Sequence, residues 1–155
     1  MTELLSVYIE IESDNVTNTS HLGKYSNTPG KNYVCRREEG DWKPGSELYF
    51  NPVATEPADI MRDYQRAEAH RRYKWWYISI TAIAEIKVLN TIQRIKTGSS
   101  GIESDSNPNF ITLVIKEQLE KLKQILQELH VPLDNKWNEL YNKASNYKVL
   151  NPNSR

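Results

Sequence analysis

The chain has a single cysteine, Cys35, and no excess of either charge: 20 Lys and Arg stand against 20 Asp and Glu, for a formal net charge of zero at pH 7. One cysteine excludes an internal disulfide, and no Cys/His group has the spacing of a zinc site. The charge balance excludes a uniformly basic nucleic-acid binder and an acidic solvating tail. No apolar run approaches the roughly 18 residues that span a bilayer. The start, Met1-Thr2-Glu3-Leu4, lacks the basic residues and apolar stretch of a secretory signal. A reducing, cytosolic setting or the inside of an assembled particle follows, without membrane contact. A nucleophile elbow, a phosphate loop and a paired-glycine fingerprint are also missing, and no cofactor is expected.

What is present suits an ordinary globular chain. At 155 residues, 38% hydrophobic and 26% charged, it can bury about 70% of its unfolded surface, and one compact domain is the default. The zero net charge hides an internal division. Residues 1–56 carry 5 basic and 9 acidic side chains, 57–97 carry 8 and 4, and 98–155 carry 7 and 7. The sequence therefore divides into a β-rich region, 1–56, and a mainly helical region, 57–155, with a flexible linker at 97–109.

In the first region Leu5, Val7, Ile9 and Ile11 alternate with Ser6, Tyr8, Glu10 and Glu12, the period of a strand with one buried face. Tyr33 to Arg37 and Glu47 to Phe50 are shorter β-rich runs. Pro29-Gly30, Gly40 and Pro44-Gly45 mark turns, and a small antiparallel sheet is predicted. Ser13 to Lys31 is rich in Asn, Ser and Thr, lacks periodicity and reads as a loop. Asn15-Val16-Thr17 and Asn18-Thr19-Ser20 in it match the glycosylation pattern; without a secretory signal they read as coincidence.

Ala58 to Thr97 contains neither Gly nor Pro. Thr55 and Pro57 suit a helix start, and Ile60, Tyr64 and Ala67 make an amphipathic stripe. From Trp76 to Val88, however, every even position is apolar. On a helix those residues would spread around the whole circumference; on a strand they share one face. A break near Tyr73, giving helix, strand, helix, is favoured over one buried helix. Asn107-Pro108 then opens a helix whose stripe is Ile111, Ile115, Leu119, Leu122, Leu126 and Leu129, widened by Val114 and Ile125. Pro132 ends it. Asp134 caps a last helix bearing Trp137, Leu140, Tyr141 and Ala144 on one face, and a C-terminal helical hairpin is expected. The fold class is α+β.

The strongest functional signal is the segment Arg66, His70, Arg71, Arg72, Tyr73, Lys74, Trp75, Trp76, continuing to Tyr77. Cations attract phosphates and aromatic rings stack on unpaired bases, so this composition suits single-stranded nucleic acid or an acidic protein surface. Against that, Asp59, Asp63 and Glu68 lie within helical reach of the arginines, and Trp75 and Trp76 also suit core positions. Cys35 beside Arg36 and Arg37, and His70 with Asp63 or Glu68, are the remaining chemical candidates, for a thiolate and an acid/base pair. An exposed helical histidine and a half-buried strand cysteine are their bland counterparts. No catalytic constellation forms around either. The expected function is a non-enzymatic interaction or assembly subunit, through a protein partner or self-association, as in a viral or phage particle. A nucleic-acid-binding accessory protein using 66–77 is the alternative, and an enzyme using His70, Glu68 or Cys35 the third.

Overall fold

The computed structural model describes residues 1–14 and 18–147. In chain order the elements are β1 (Thr2–Ser13), β2 (Gly23–Ser26), β3 (Val34–Cys35), β4 (Tyr49–Pro52), α1 (Pro57–Arg71), β5 (Tyr77–Val88), β6 (Thr91–Glu103), α2 (Pro108–Glu128) and α3 (Asp134–Ser145). The fold is α+β, with two antiparallel sheets and three helices among the described residues. These residues form two compact units, one of 1–14 with 76–147 and one of 18–75.

The first unit is a sheet in the order β1-β5-β6 with α2 lying against β5 and β6, and α3 against β1. Its central strand is the segment whose periodicity was ambiguous between strand and helix. Ile78, Ile80, Ala82, Ala84 and Ile86 all enter one core, as period-2 alternation demands. Ile111, Ile115, Leu119, Leu122 and Leu126 of α2 meet them and are fully buried. Gln118 is buried within this apolar stripe because its Oε1 accepts a 2.9 Å hydrogen bond from Thr97 Oγ1. Leu129, expected on the stripe, is exposed, since α2 ends at Glu128.

Three expectations change in this unit. In β1 the core residue is Leu4, with Leu5 only half-buried: the register shifts between Leu4 and Ser6, so Leu5 is the extra residue of a bulge. No helix follows Val88; Thr91 to Thr97 continues as strand β6, and the supposed linker is strand as far as Glu103. The β-branched Thr91, Ile92, Ile95 and Thr97 suit that state. The turn into it is Leu89-Asn90, with Leu89 at φ 56, a left-handed conformation that no glycine announced. A second register shift, between Ile78 and Ile80, sets Ser100 and Gly101 against the single residue Ser79, and Gly101 at φ 72 takes the left-handed position such a bulge needs. Lastly, Asp134 is the first helical residue of α3 rather than its cap.

The second unit pairs its strands in the order β2-β4-β3 and packs α1 on β2 and β4. β3 and β4 lie in the two short β-rich runs. β2 lies in the stretch read as a loop, and β1 belongs to the other sheet. Length explains the latter: a strand of 12 residues matches β5 along its whole extent and not β3 of 2 or β4 of 4. Glycine explains the former. A Cβ on Gly23 would stand 2.5 Å from Asn51 O and 2.5 Å from Phe50 Cζ, so only glycine lets β2 approach β4. Helix α1 starts with Glu56 as N-cap and Pro57 behind it, one residue later than Thr55 suggested. At its other end Tyr73 N donates to His70 O (3.0 Å) and Lys74 N to Ala69 O (2.9 Å). That is a Schellman motif, with Tyr73 at φ 58 in the position glycine normally fills.

Two substitutions test these cores. Leu119→Ala is expected to cost about 2–5 kcal/mol by leaving a cavity under β5. Gly23→Ala is expected to destabilise the second unit by forcing β2 off β4. Hydrogen exchange read peptide by peptide locates each effect in its own unit.

Candidate interaction surface

The second unit is built around a buried cation. Residue Arg36 continues the inward position of Val34 past the end of β3, and both are buried. Its Nε donates to Glu68 Oε1 at 2.6 Å, one terminal nitrogen to Glu47 O at 2.7 Å and Ser46 Oγ at 3.2 Å, and the other to Glu68 Oε2 at 3.4 Å. Glu68, buried on the inner face of α1 one turn after Tyr64, also accepts from Tyr25 Oη at 3.2 Å. Tyr64 Oη donates to Asp41, which in turn pairs with Arg72, and Arg71 pairs with Glu47 at 3.3 Å. The network therefore ties the 36–48 segment to α1 and to β2.

These contacts shift the protons. Burial, reinforced by the Glu68 charge and hydrogen bond, pushes the Tyr25 phenol well above its ordinary range. Burial and the hydrogen bond to Asp41 do the same for Tyr64. Burial pulls Arg36 down, but the hydrogen bond and charge of Glu68 outweigh it and the guanidinium is held above its usual value. A backbone hydrogen bond lowers the Glu47 carboxyl, burial opposes it less strongly, and the charge and hydrogen bond of Arg71 add to the lowering.

The basic, aromatic segment is divided between the two units. Residues Arg66 to Trp75 belong to the second unit, and Trp76 to the first, where its N–H donates to Ser104 Oγ at 2.9 Å. Trp75 is buried, its indole N–H donating to Arg66 O at 2.9 Å while the Arg66 guanidinium lies 3.9 Å from the ring centroid. The His70 ring lies tilted against Trp75, centroids 4.6 Å apart, and its Nδ1 donates to Trp75 O at 3.2 Å. Arg71 lies 4.3 Å from the Tyr25 ring. Arg71 and Arg72 thus meet Glu47 and Asp41 in ion pairs at the surface, next to Tyr73, 87% exposed, and the exposed Lys74.

Cys35 is half-buried opposite Tyr49 in the β3/β4 pair. The arginines beside it are engaged elsewhere, Arg36 with Glu68 and Arg37 over the Trp42 ring at 4.6 Å. Asn18 Oδ1 accepts from Ser20 N at 2.9 Å in a local turn; the Asn15 motif lies outside the described residues. No group of three or more His, Cys, Asp or Glu side chains is placed to hold a metal among the described residues, and no described helix is long and apolar enough to cross a membrane.

A second feature went unread in the sequence. Tyr33, Val34, Cys35, Ile60 and Met61 line an open groove of about 420 Å³ together with the exposed Glu38, Glu39, Thr55 and Pro57. Tyr33 is held edge-on against Tyr49, ring centroids 5.1 Å apart. Spacing gives no hint of it, because the turn after β3 and the first turn of α1 are more than 15 residues apart in the chain.

Glu68→Ala is expected to cost about 3–5 kcal/mol, since it strands Arg36 in the interior, whereas Arg36→Met with Glu68→Leu recovers most of that loss. Tyr25 and Tyr64 give an alkaline prediction. Their folded pKa values lie above the unfolded one near 10, so their contribution is complete below pH ~10 and is lost as pH rises toward the folded values. Stability measured by urea unfolding should fall above pH ~10, and phenolate absorbance should show these two tyrosines ionising only with unfolding. No family model, curated protein or solved structure matches the chain, and the geometry of these residues stands by itself.

Proposed function

We propose that the protein is a non-enzymatic interaction or assembly subunit, and that its binding surface is the groove between the turn after β3 and the start of α1. The observation that carries this reading is the groove's composition: the apolar side chains of Tyr33, Val34, Ile60 and Met61 line it together with the exposed carboxylates of Glu38 and Glu39. Apolar lining side chains receive an aromatic or aliphatic side chain, and carboxylates among them favour cations flanking it. The partner is therefore a protein segment carrying an apolar anchor between Lys or Arg residues.

The nucleic-acid alternative draws support from one observation, the exposed Tyr73 between Arg72 and Lys74. It is the weaker reading, because Trp75 is buried and Arg71 and Arg72 are paired with carboxylates.

Fluorescence anisotropy with two labelled probes separates them, a short peptide with tyrosine flanked by Arg and Lys, and an oligodeoxythymidylate. The expected result is salt-sensitive peptide binding that drops about tenfold or more when Glu38→Lys and Glu39→Lys are combined. Absence of peptide binding overturns the groove reading. Oligonucleotide binding lost on Arg71→Ala with Arg72→Ala puts the nucleic-acid reading in its place.

A further inference from the structure

We infer that the groove receives Tyr73 of a second copy of this chain, so that copies join head to tail; this rests on the groove being the binding surface.

The first reason is the conformation of Tyr73. It occupies the left-handed position after α1 at φ 58, where a side chain is disfavoured by about 1–2 kcal/mol and glycine is the usual residue. The Schellman hydrogen bonds hold it there with its ring 87% exposed. A large aromatic ring is thus presented to solvent at a position where glycine would make the helix end more stable. Interface anchors have this character: aromatic, projecting and rigidly based.

The second reason is charge. Tyr73 sits between Arg72 and Lys74, and the groove has Glu38 and Glu39 in its lining. Asp41 already counters Arg72, so Lys74 carries most of the attraction. The division along the chain agrees, because the groove's acidic residues lie in the segment with excess acid and Tyr73 in the segment with excess base.

The third reason is distance. Ile60 and Met61 of the groove belong to the first turn of α1, and Tyr73 follows its last. Twelve or thirteen residue steps along the helix, at about 1.5 Å each, put about 20 Å between them. The ring therefore has no access to its own groove, and the contact is between copies. Since one copy offers the ring and the other the groove, the interface is heterologous, and a third copy adds in the same way. A single anchor implies weak association, with dissociation constants of about 10 µM to 1 mM.

Sedimentation velocity of the full chain over a concentration series tests this. The wild type is expected to grow beyond a dimer with concentration and to revert toward monomer in about 0.5 M salt. Tyr73→Gly keeps the helix end, so it should melt at or above the wild-type temperature while its association weakens about tenfold or more. Glu38→Lys with Glu39→Lys removes the groove's attraction and should also give monomers. Mixing the two variants restores one intact ring and one intact groove, and the mixture is expected to stop at a heterodimer. A wild type that stays monomeric to about 1 mM, a Tyr73→Gly chain that assembles like wild type, or a mixture without heterodimer each overturns the inference. If the labelled peptide binds the groove while the chain stays monomeric, this inference falls and the groove remains the binding surface. If the peptide fails as well, both fall.

Discussion

The buried pair of Arg36 and Glu68 is the constraint around which the unit of residues 18–75 is organised. A charge removed from water is tolerated only when its hydrogen-bonding capacity is met. Arg36 satisfies that condition by drawing in Glu68 from α1 and the carbonyl of Glu47 and hydroxyl of Ser46 from the segment after β3. The segment is thereby pinned at both ends, since Arg36 N also donates to Leu48 O at 2.9 Å, and Asp41 N to Arg36 O at 2.9 Å. Glu38 and Glu39, in the turn so formed, acquire fixed places beside the groove. Sheets of 2 to 4 residues per strand supply little hydrophobic area, and a small unit needs some such directional support.

The other unit solves the problem of stability differently. Its sheet and helices bury long aliphatic faces, with β5 contributing one side chain in two to a core shared with α2. That pattern was written in the sequence: alternation from Trp76 to Val88 and a clean stripe from Ile111 to Leu126. The parts that escaped were turns without turn residues. Leu89 adopts positive φ at the hairpin tip and Tyr73 at a helix end, and neither carries the glycine that would have disclosed it. Strand β2 escaped because its sheet depends on Gly23 being close to Asn51, a tertiary circumstance with no local period.

The surface was less legible than the fold, for a related reason. Composition singled out Arg66 to Trp76, but composition does not say which way a side chain faces. In the fold, Trp75 turns inward under Arg66, Trp76 joins the other unit, and Arg71 and Arg72 meet Glu47 and Asp41. Arg71 and Arg72 stay exposed in those pairs, beside the exposed Tyr73 and Lys74. A reading of inward positions would have gone further: Val34 and Arg36 are two apart past a strand, and Tyr64 and Glu68 four apart on a helix, so an arginine and a glutamate were both due inside. The groove is a product of tertiary packing alone and leaves no linear trace.

One topological feature bears on how the chain acquires its structure. Strand β1 pairs with β5 across an intervening unit, Thr2 opposite Val88 and Ser13 opposite Ile78. During synthesis β1 therefore emerges with no strand to pair with and must wait unpaired until β5 has left the ribosome. The inserted unit is contiguous, and all its contacts are within reach as soon as Trp75 emerges. Vectorial synthesis thus favours the order of inserted unit first and surrounding sheet second. An early-folding insert also shortens the effective loop that β1 must close to find β5, because a compact body separates its ends far less than an open chain of the same length would.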